Sequence, residues 1–301
     1  MMKVLLIYYT QSGQLGEIAD NFIQPFVHAG VSVEKVSVKP KSEYQFPWST
    51  ERFFDVMPES VHGIPTELEP FTLKENSYDL VIFAYQPWFL SPSIPANSIL
   101  HHPNFQAKIK NTPVVTLIGA RNMWLGSQER VKTKLKESEA NLVGNIVLFD
   151  RHSNLVSVVT IFHWMLGGKK DRYLNIFPIP GVADQDIRGV HQFGDTVLHH
   201  LQRGTLNELQ EELVAKKAVE VKYNLMFVEE TGQRIFRIWA SLIAKRKNRK
   251  RWLVFFKYYL LFALFIVSPI VLLINNIFFR PFKGKPIRRK INYYLGLNNK
   301  I

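Results

Sequence analysis

Residues 3–9 (KVLLIYY) form a continuous apolar and aromatic run of strand length that stops at Thr10-Gln11-Ser12-Gly13-Gln14. Leu15, Ile18, Ala19, Phe22 and Phe26 then recur at helical spacing until Gly30. The run is too short and wrongly flanked for a signal peptide and reads as a buried parallel strand feeding a helix. Four further apolar runs, at 31–38, 78–85, 113–119 and 143–149, leave room for crossovers between them. Strands alternating with helical or irregular segments predict a doubly wound α/β sheet. Pro25 is expected to bend or shorten the first helix.

The intervening segments differ in character. Residues 39–73 hold five prolines and many aromatics, an irregular insertion of the kind that covers a site. Residues 128–140 form a charged helix. After the fifth run the chain stays apolar through 152–166, loops through FPIPG at 177–181, and forms a last core helix near 190–202. Thr205-Leu206-Asn207-Glu208 has the pattern of a capping box and predicts a helix from Leu206 to about Val221. An amphipathic segment, 227–245, leads into KRKNRKR at 245–251.

A net charge of +13 suggests nucleic acid only if it is spread along the chain. From Arg234 to Ile301 there are 16 Lys and Arg and no acid, which leaves 22 basic against 25 acidic residues, a net −3, before it. The basic clusters bracket residues 258–279, twenty-two residues without a charge. As a helix these reach roughly 33 Å, enough to cross a hydrocarbon core. The charge therefore reads as membrane flanking, with membrane lipid as a partner and nucleic acid not expected. A simple span would export the cations at 280–290 against the positive-inside rule, and Ser268-Pro269 divides the stretch into halves of roughly 16 Å. That division suits a re-entrant or monotopic hairpin, with a single span as the alternative. Both basic clusters would then lie against anionic headgroups on one face.

With no cysteine, chemistry must come from a cofactor or from oxygen and nitrogen groups. The loop Thr10-Gln11-Ser12-Gly13-Gln14-Leu15 lies where backbone N–H groups and the positive end of the first helix converge on an anion. Thr10 and Ser12 add hydroxyls and Gly13 permits close approach. Lacking the lysine of a triphosphate loop, it suits a monophosphate.

This loop resembles that of flavodoxin-like proteins, which hold the FMN phosphate there, although Leu15 stands where a threonine is usual. The resemblance implies a five-stranded sheet of order 2-1-3-4-5, FMN as cofactor, and ring-binding loops after the third and fourth strands. Those loops are Gln86-Pro87-Trp88-Phe89 and Gly119-Ala120-Arg121-Asn122-Met123-Trp124, with Trp88 and Trp124 placed to flank a flat ring. Arg121 would neutralise a reduced flavin or solvate a loop. By the same analogy a homodimer across the ring site is expected.

A wider resemblance, carried by IYYTQSGQL, GARNMW and the tail RWLVFFKYYLLFALFIVSP with its following RPF, is to the dialkylresorcinol-condensing enzymes of aryl-polyene and flexirubin pigment pathways. Ketosynthase-type condensation needs a cysteine, so the resemblance implies the later step, aromatisation of a 2,5-dialkylcyclohexane-1,3-dione to a dialkylresorcinol with FMN accepting two electrons. Ketosynthase and acyl-carrier proteins are the pathway partners it implies. His152, beside Asp150, is the best-placed candidate base and Tyr85 the second; the adjacent pairs His101-His102 and His199-His200 predict no metal. The expected organisation is an FMN domain at 1–204, a basic helical juxtamembrane linker at 205–250 and an anchor at 251–301, on the cytoplasmic face of the inner membrane. A membrane quinone reductase and a flavin-free membrane scaffold are the competing readings.

Overall fold

A computed structural model describes residues 1–297; the last four residues of the basic tail lie outside the described residues. Five parallel strands, β1 (Lys3–Tyr8), β2 (Ser32–Ser37), β3 (Leu80–Tyr85), β4 (Pro113–Ala120) and β5 (Asn141–Phe149), form one sheet in the order β2-β1-β3-β4-β5. This is the doubly wound, flavodoxin-like order expected from the sequence. Its switch point lies between β1 and β3, where the chain leaves β1 toward one edge and later returns to build the other.

Strand alternation divides the core in two. Val4, Leu6, Ile82, Leu117 and Ile146 face one helical layer, formed by α1 (Gln14–His28), α8 (Asp184–Gly189), α9 (His191–Arg203) and α10 (Leu209–Ala215). Leu5, Ile7, Phe83, Ile118 and Val147 face the other, with α4 (Ile94–His101), α5 (Pro103–Ile109) and α6 (Leu125–Glu137). Each fully buried aliphatic side chain contributes about 1.5–3 kcal/mol of transfer free energy, so both faces commit the sheet to the interior.

Pro25 neither shortens nor breaks α1. It lies inside the helix, which runs on to His28, and the Ala29 N–H closes back onto the Pro25 carbonyl at 3.0 Å. The insertion 39–73 carries two short helices, α2 (Thr50–Asp55) and α3 (Met57–His62). After β5 comes α7 (Asn154–Gly167).

The Thr205–Glu208 capping box does not form. Thr205 Oγ1 lies 2.8 Å from His200 Nδ1, and His200 Nε2 lies 3.0 Å from Glu212. The hydroxyl is thus taken from the backbone by a buried imidazole, and the helix begins later and is shorter than expected, at Leu209–Ala215. Residues 205–250 pack into the body: Leu209 and Leu213 join the first core, Met226 the second.

The C-terminal helices run across the body. α11 (Tyr223–Ala244) packs on α3 and α6. Helix α12 (Arg249–Phe282) returns along α11 without interruption, so the expected hairpin at Ser268-Pro269 is not formed. A wider π-helical turn at Ala263–Val267 precedes Ser268, and the helix continues past Pro269 as Ser268–Ile274. The final helix, α13 (Gly284–Tyr294), folds back onto the body.

Candidate functional site

At the carboxyl end of the sheet lies a cavity of about 370 Å³. Gln11, Ser12, Gln14 and Leu15 line it from the β1–α1 loop, Gln86 to Leu90 from the segment after β3, and Gly119, Ala120, Arg121 and Met123 from the segment after β4. Three loops separated by as much as about 110 residues meet there because the crossovers on either side of the switch point all emerge at that end.

The β1–α1 loop leaves several hydrogen-bond donors without a partner among the described residues. Gly13 has φ 89°, a left-handed conformation that side-chain-bearing residues adopt only with strain, and it stands at the N-cap of α1 without any side-chain cap. The backbone N–H groups of Ser12 and Gly13 find no backbone acceptor among the described residues. The hydroxyl of Thr10 is buried and likewise lacks a partner. A buried hydroxyl without a bond is costly, by roughly 1–3 kcal/mol, and a phosphate oxygen would satisfy it together with the free N–H groups and the helix end.

The two glutamines of the loop do other work. Gln11 donates from Nε2 to the Tyr44 carbonyl at 3.0 Å and accepts from Trp48 Nε1 at 3.0 Å. Gln14 accepts from the Val182 N–H at 3.1 Å and donates to the Val182 carbonyl at 3.2 Å. Their side chains tie the insertion and the 177–182 loop over the site. The Leu15 side chain joins the first core, at 3% exposure, and offers no hydroxyl where a threonine is usual.

Trp88 lines the cavity edge-on to Trp48, with ring centroids 5.3 Å apart, and to Tyr44, at 5.1 Å. It belongs to a two-residue ribbon, Pro87–Trp88 against Ser91–Pro92. The ribbon turns through Phe89 and Leu90, both at positive φ (46° and 60°), a local strain of about 1–2 kcal/mol per residue that presents them to the cavity. Arg121 is anchored by Nη1 to the Asn154 side-chain oxygen at 2.9 Å and Ser157 Oγ at 2.8 Å, at the start of α7. Desolvation lowers its guanidinium to about 10, still cationic at neutral pH, with Asp150 and Glu229 nearby to support the charge.

Six expected residues are absent from the lining: Thr10 and Gly13, which belong to the β1–α1 loop without bordering the cavity, and four that lie elsewhere. Trp124, expected to face Trp88 across a ring, is the N-cap residue of α6 and is buried in the second core with Leu125. Asn122 is outside the cavity as well, donating to Asn154 and Ser157. Tyr85 shares its strand face with Val81 and Phe83; its ring is wholly buried and its hydroxyl donates to Gln128 at 2.7 Å. His152 is held by Asp150 Oδ1, 2.6 Å from its Nδ1, on an exposed shoulder that does not line the cavity. The two candidate bases therefore do not converge on the site.

Other residues complete it. Phe46, Trp48 and Phe53 come from the insertion, Phe162 and Trp164 from α7, and Phe227, Thr231 and Phe236 from α11. Tyr259, Leu260, Ala263, Leu264, Val267 and Val271 form one stripe of α12 and make up a wall. The uncharged length of this segment was visible in the sequence; which of its faces lines a cavity depends on the return of α12. Glu229 was not anticipated. It lies against the first turn of α6, 1% exposed, accepting the Gly126 N–H at 2.8 Å, and burial raises its carboxyl to about 7.

No family model matches the chain, and no curated protein matches it. Among solved structures, a flavoprotein in complex with FMN from Lactobacillus acidophilus is 18% identical, with 49% of this chain and 93% of that chain covered and a TM-score of 0.40. A flavodoxin from the domain Archaea is 11% identical, covering 67% and 99%, with a TM-score of 0.34. The two-electron reduced flavodoxin of Megasphaera elsdenii is 14% identical, covering 50% and 89%, with a TM-score of 0.30.

Proposed function

We propose that this protein is an FMN-dependent oxidoreductase attached to a membrane, which dehydrogenates a lipophilic 2,5-dialkylcyclohexane-1,3-dione to a dialkylresorcinol. The observation that carries the reading is that one cavity joins residues of the β1–α1 loop, aromatic side chains around Trp88 with one guanidinium, that of Arg121, and the inner stripe of a long apolar helix. A polar anchor, a flat reactive centre and an alkyl-bearing substrate are the three things such a space accommodates.

Thr10, Ser12 and Gly13 would hold the phosphate, and residues 86–89 with 119–121 and Met123 would border the ring. When bound, FMN supplies a two-electron acceptor. The rest falls to the chain. A cyclic 1,3-dione ionises readily, and Arg121 would hold the resulting enolate, an attraction that the dry aromatic walls strengthen while they disfavour either charge alone. Ionisation having already released the one proton, the enolate gives up one hydride to the acceptor, and the enedione left behind tautomerises to the aromatic ring. Gln11 and Gln14, by fastening the insertion and the 177–182 loop, keep bulk water from the reacting carbons.

The test is anaerobic. Purified full-length protein carrying stoichiometric FMN should lose its oxidised-flavin absorbance on addition of a dialkylcyclohexanedione and release an equal amount of the resorcinol. A flavoprotein that ignores the dione but turns over a quinone with NAD(P)H would be a quinone reductase instead. A colourless protein that takes up no FMN would overturn the flavin assignment.

A further inference from the structure

Helix α12 is the one helix among the described residues long and apolar enough to cross a membrane, and only 11% of its most apolar window is buried. Its surface has two faces. Leu253, Phe256, Leu260 and Asn275 are buried against the body. Tyr258, Phe262, Ile266, Ile270, Leu273 and Ile277, at 49–61% exposure, form an uncovered stripe along the opposite side.

Both ends of the helix are fastened to the same body. At the start, Arg249 pairs with Glu59 at 2.5 Å and with Asp55 at 3.1 Å. Toward the end, Asn275 Nδ2 donates to the Tyr223 hydroxyl at 2.9 Å. Beyond it, α13 is bound back through Tyr294 to Glu230 at 3.0 Å, Lys290 to Glu230 at 2.6 Å, and Gln210 to the Leu295 carbonyl at 2.7 Å. A transmembrane span would have to carry one of these ends, with its partners, to the other side.

The charges agree. Lys245, Arg246, Lys247 and Arg251 flank the start of the helix, Arg280 lies in its last turn, and Lys283, Lys285, Arg288 and Arg289 follow its end; all are exposed and none has a carboxylate partner among the described residues. Cations at both ends of an apolar stripe match the headgroups of a single anionic leaflet, each worth about 1 kcal/mol near such a surface.

From this we infer that α12 lies in the plane of one leaflet of an anionic bilayer, its outer stripe among the acyl chains and its inner stripe forming the cavity wall, so that the protein is monotopic. The inference deepens the membrane attachment in the proposed function and is independent of the redox chemistry. It assigns one surface to two duties, and it places the cavity within a helix diameter, roughly 10 Å, of the lipid.

The absence of cysteine makes the experiment clean. Lys247→Cys and Lys285→Cys, made singly in the full chain, are both at exposed positions. In inside-out membrane vesicles both should react with a membrane-impermeant maleimide to the same extent, before and after detergent. Protection of one until the vesicles are opened would establish a span and overturn the inference. In flotation, the detergent-purified protein should bind vesicles of phosphatidylcholine with one third phosphatidylglycerol about tenfold better than phosphatidylcholine alone. The double variant Phe262→Asp and Leu273→Asp, altered only on the exposed stripe, should lose flotation while keeping its circular dichroism. Failure of the unaltered protein to float, with sedimentation as a dimer that the double variant abolishes, would mean a second copy covers the stripe and would also overturn it. Flavin content, measured on the same samples, reports on the redox reading separately.

Discussion

Gly126 donates its backbone N–H to Oε1 of Glu229 across 2.8 Å, joining the first turn of α6 to a carboxyl on α11 that is almost wholly buried. Burial raises the carboxyl from its ordinary value of 4.5 to about 7, against the opposing pull of the α6 N–H groups and Arg121. The folded state therefore keeps this proton to higher pH than the unfolded chain. Stability from this group is complete below pH 4.5, falls as pH rises toward 7, and is lost above it, a change of about 3 kcal/mol. The melting temperature should thus fall between pH 5 and pH 8, and Glu229→Gln, which keeps an acceptor without the charge, should flatten that slope. An unchanged slope in the variant would assign the titration to another group.

Thr10→Val separates binding from folding. The Thr10 hydroxyl is buried without a partner, so replacing it with a methyl group should leave the flavin-free protein as stable or more so. Loss of one hydrogen bond to a phosphate should weaken FMN about tenfold, read by quenching of flavin fluorescence on titration. Lower stability with unchanged affinity would place the hydroxyl in the fold rather than in the site.

Arg121→Met should spare most of the FMN affinity, since the anion loop is distant in sequence and intact, and should lower kcat for dione oxidation by about 100-fold. Arg121→Lys should recover only part of this, because the anchoring to Asn154 and Ser157 uses the guanidinium. Steady-state rates at saturating substrate provide the measurement.

Gly194 on α9 sits against α1, where an added Cβ would run into the Phe22 backbone carbonyl oxygen. Backbone cannot rotate away, so Gly194→Ala should force the two helices apart at a cost of about 3 kcal/mol, a fall in melting temperature on the order of 6–10 °C. Thermal unfolding followed by circular dichroism checks it.

Gln14→Ala should release the 177–182 loop from Val182. Two hydrogen bonds of about 1 kcal/mol each predict FMN dissociation faster by about ten- to thirtyfold, with early proteolytic cleavage in that loop. Stopped-flow displacement of bound flavin gives the rate.

The sheet was legible because a buried parallel strand has no polar face to disguise it: residues 3–9 and 78–85 are apolar throughout, and the Thr10–Gln14 break falls where the turn must be. Arg121 and Trp88 could be placed by counting from strand ends. What composition could not convey was which way a side chain points after the strand is left. Tyr85 and Trp124 follow strand parity and the start of α6 into the core, and His152 is drawn aside by Asp150. The Thr205 capping box failed for a tertiary reason, the competing bond to His200. The walls given by Trp48, Phe236 and α12 lie up to about 250 residues from the 10–15 loop, and no local pattern links them.

On the proposed monotopic arrangement, the apolar stripe of α12 that looks inward would also fix the units in which this protein measures its substrate. A cavity walled by a membrane-embedded helix samples molecules dissolved in the lipid and not those in the surrounding water, so the rate should follow mole fraction in the bilayer. At constant bulk dione, adding substrate-free vesicles should slow turnover by surface dilution, and the half-saturating value should become constant only when written per mole of lipid. An assay in aqueous buffer would then read as low affinity what is in truth an empty two-dimensional phase.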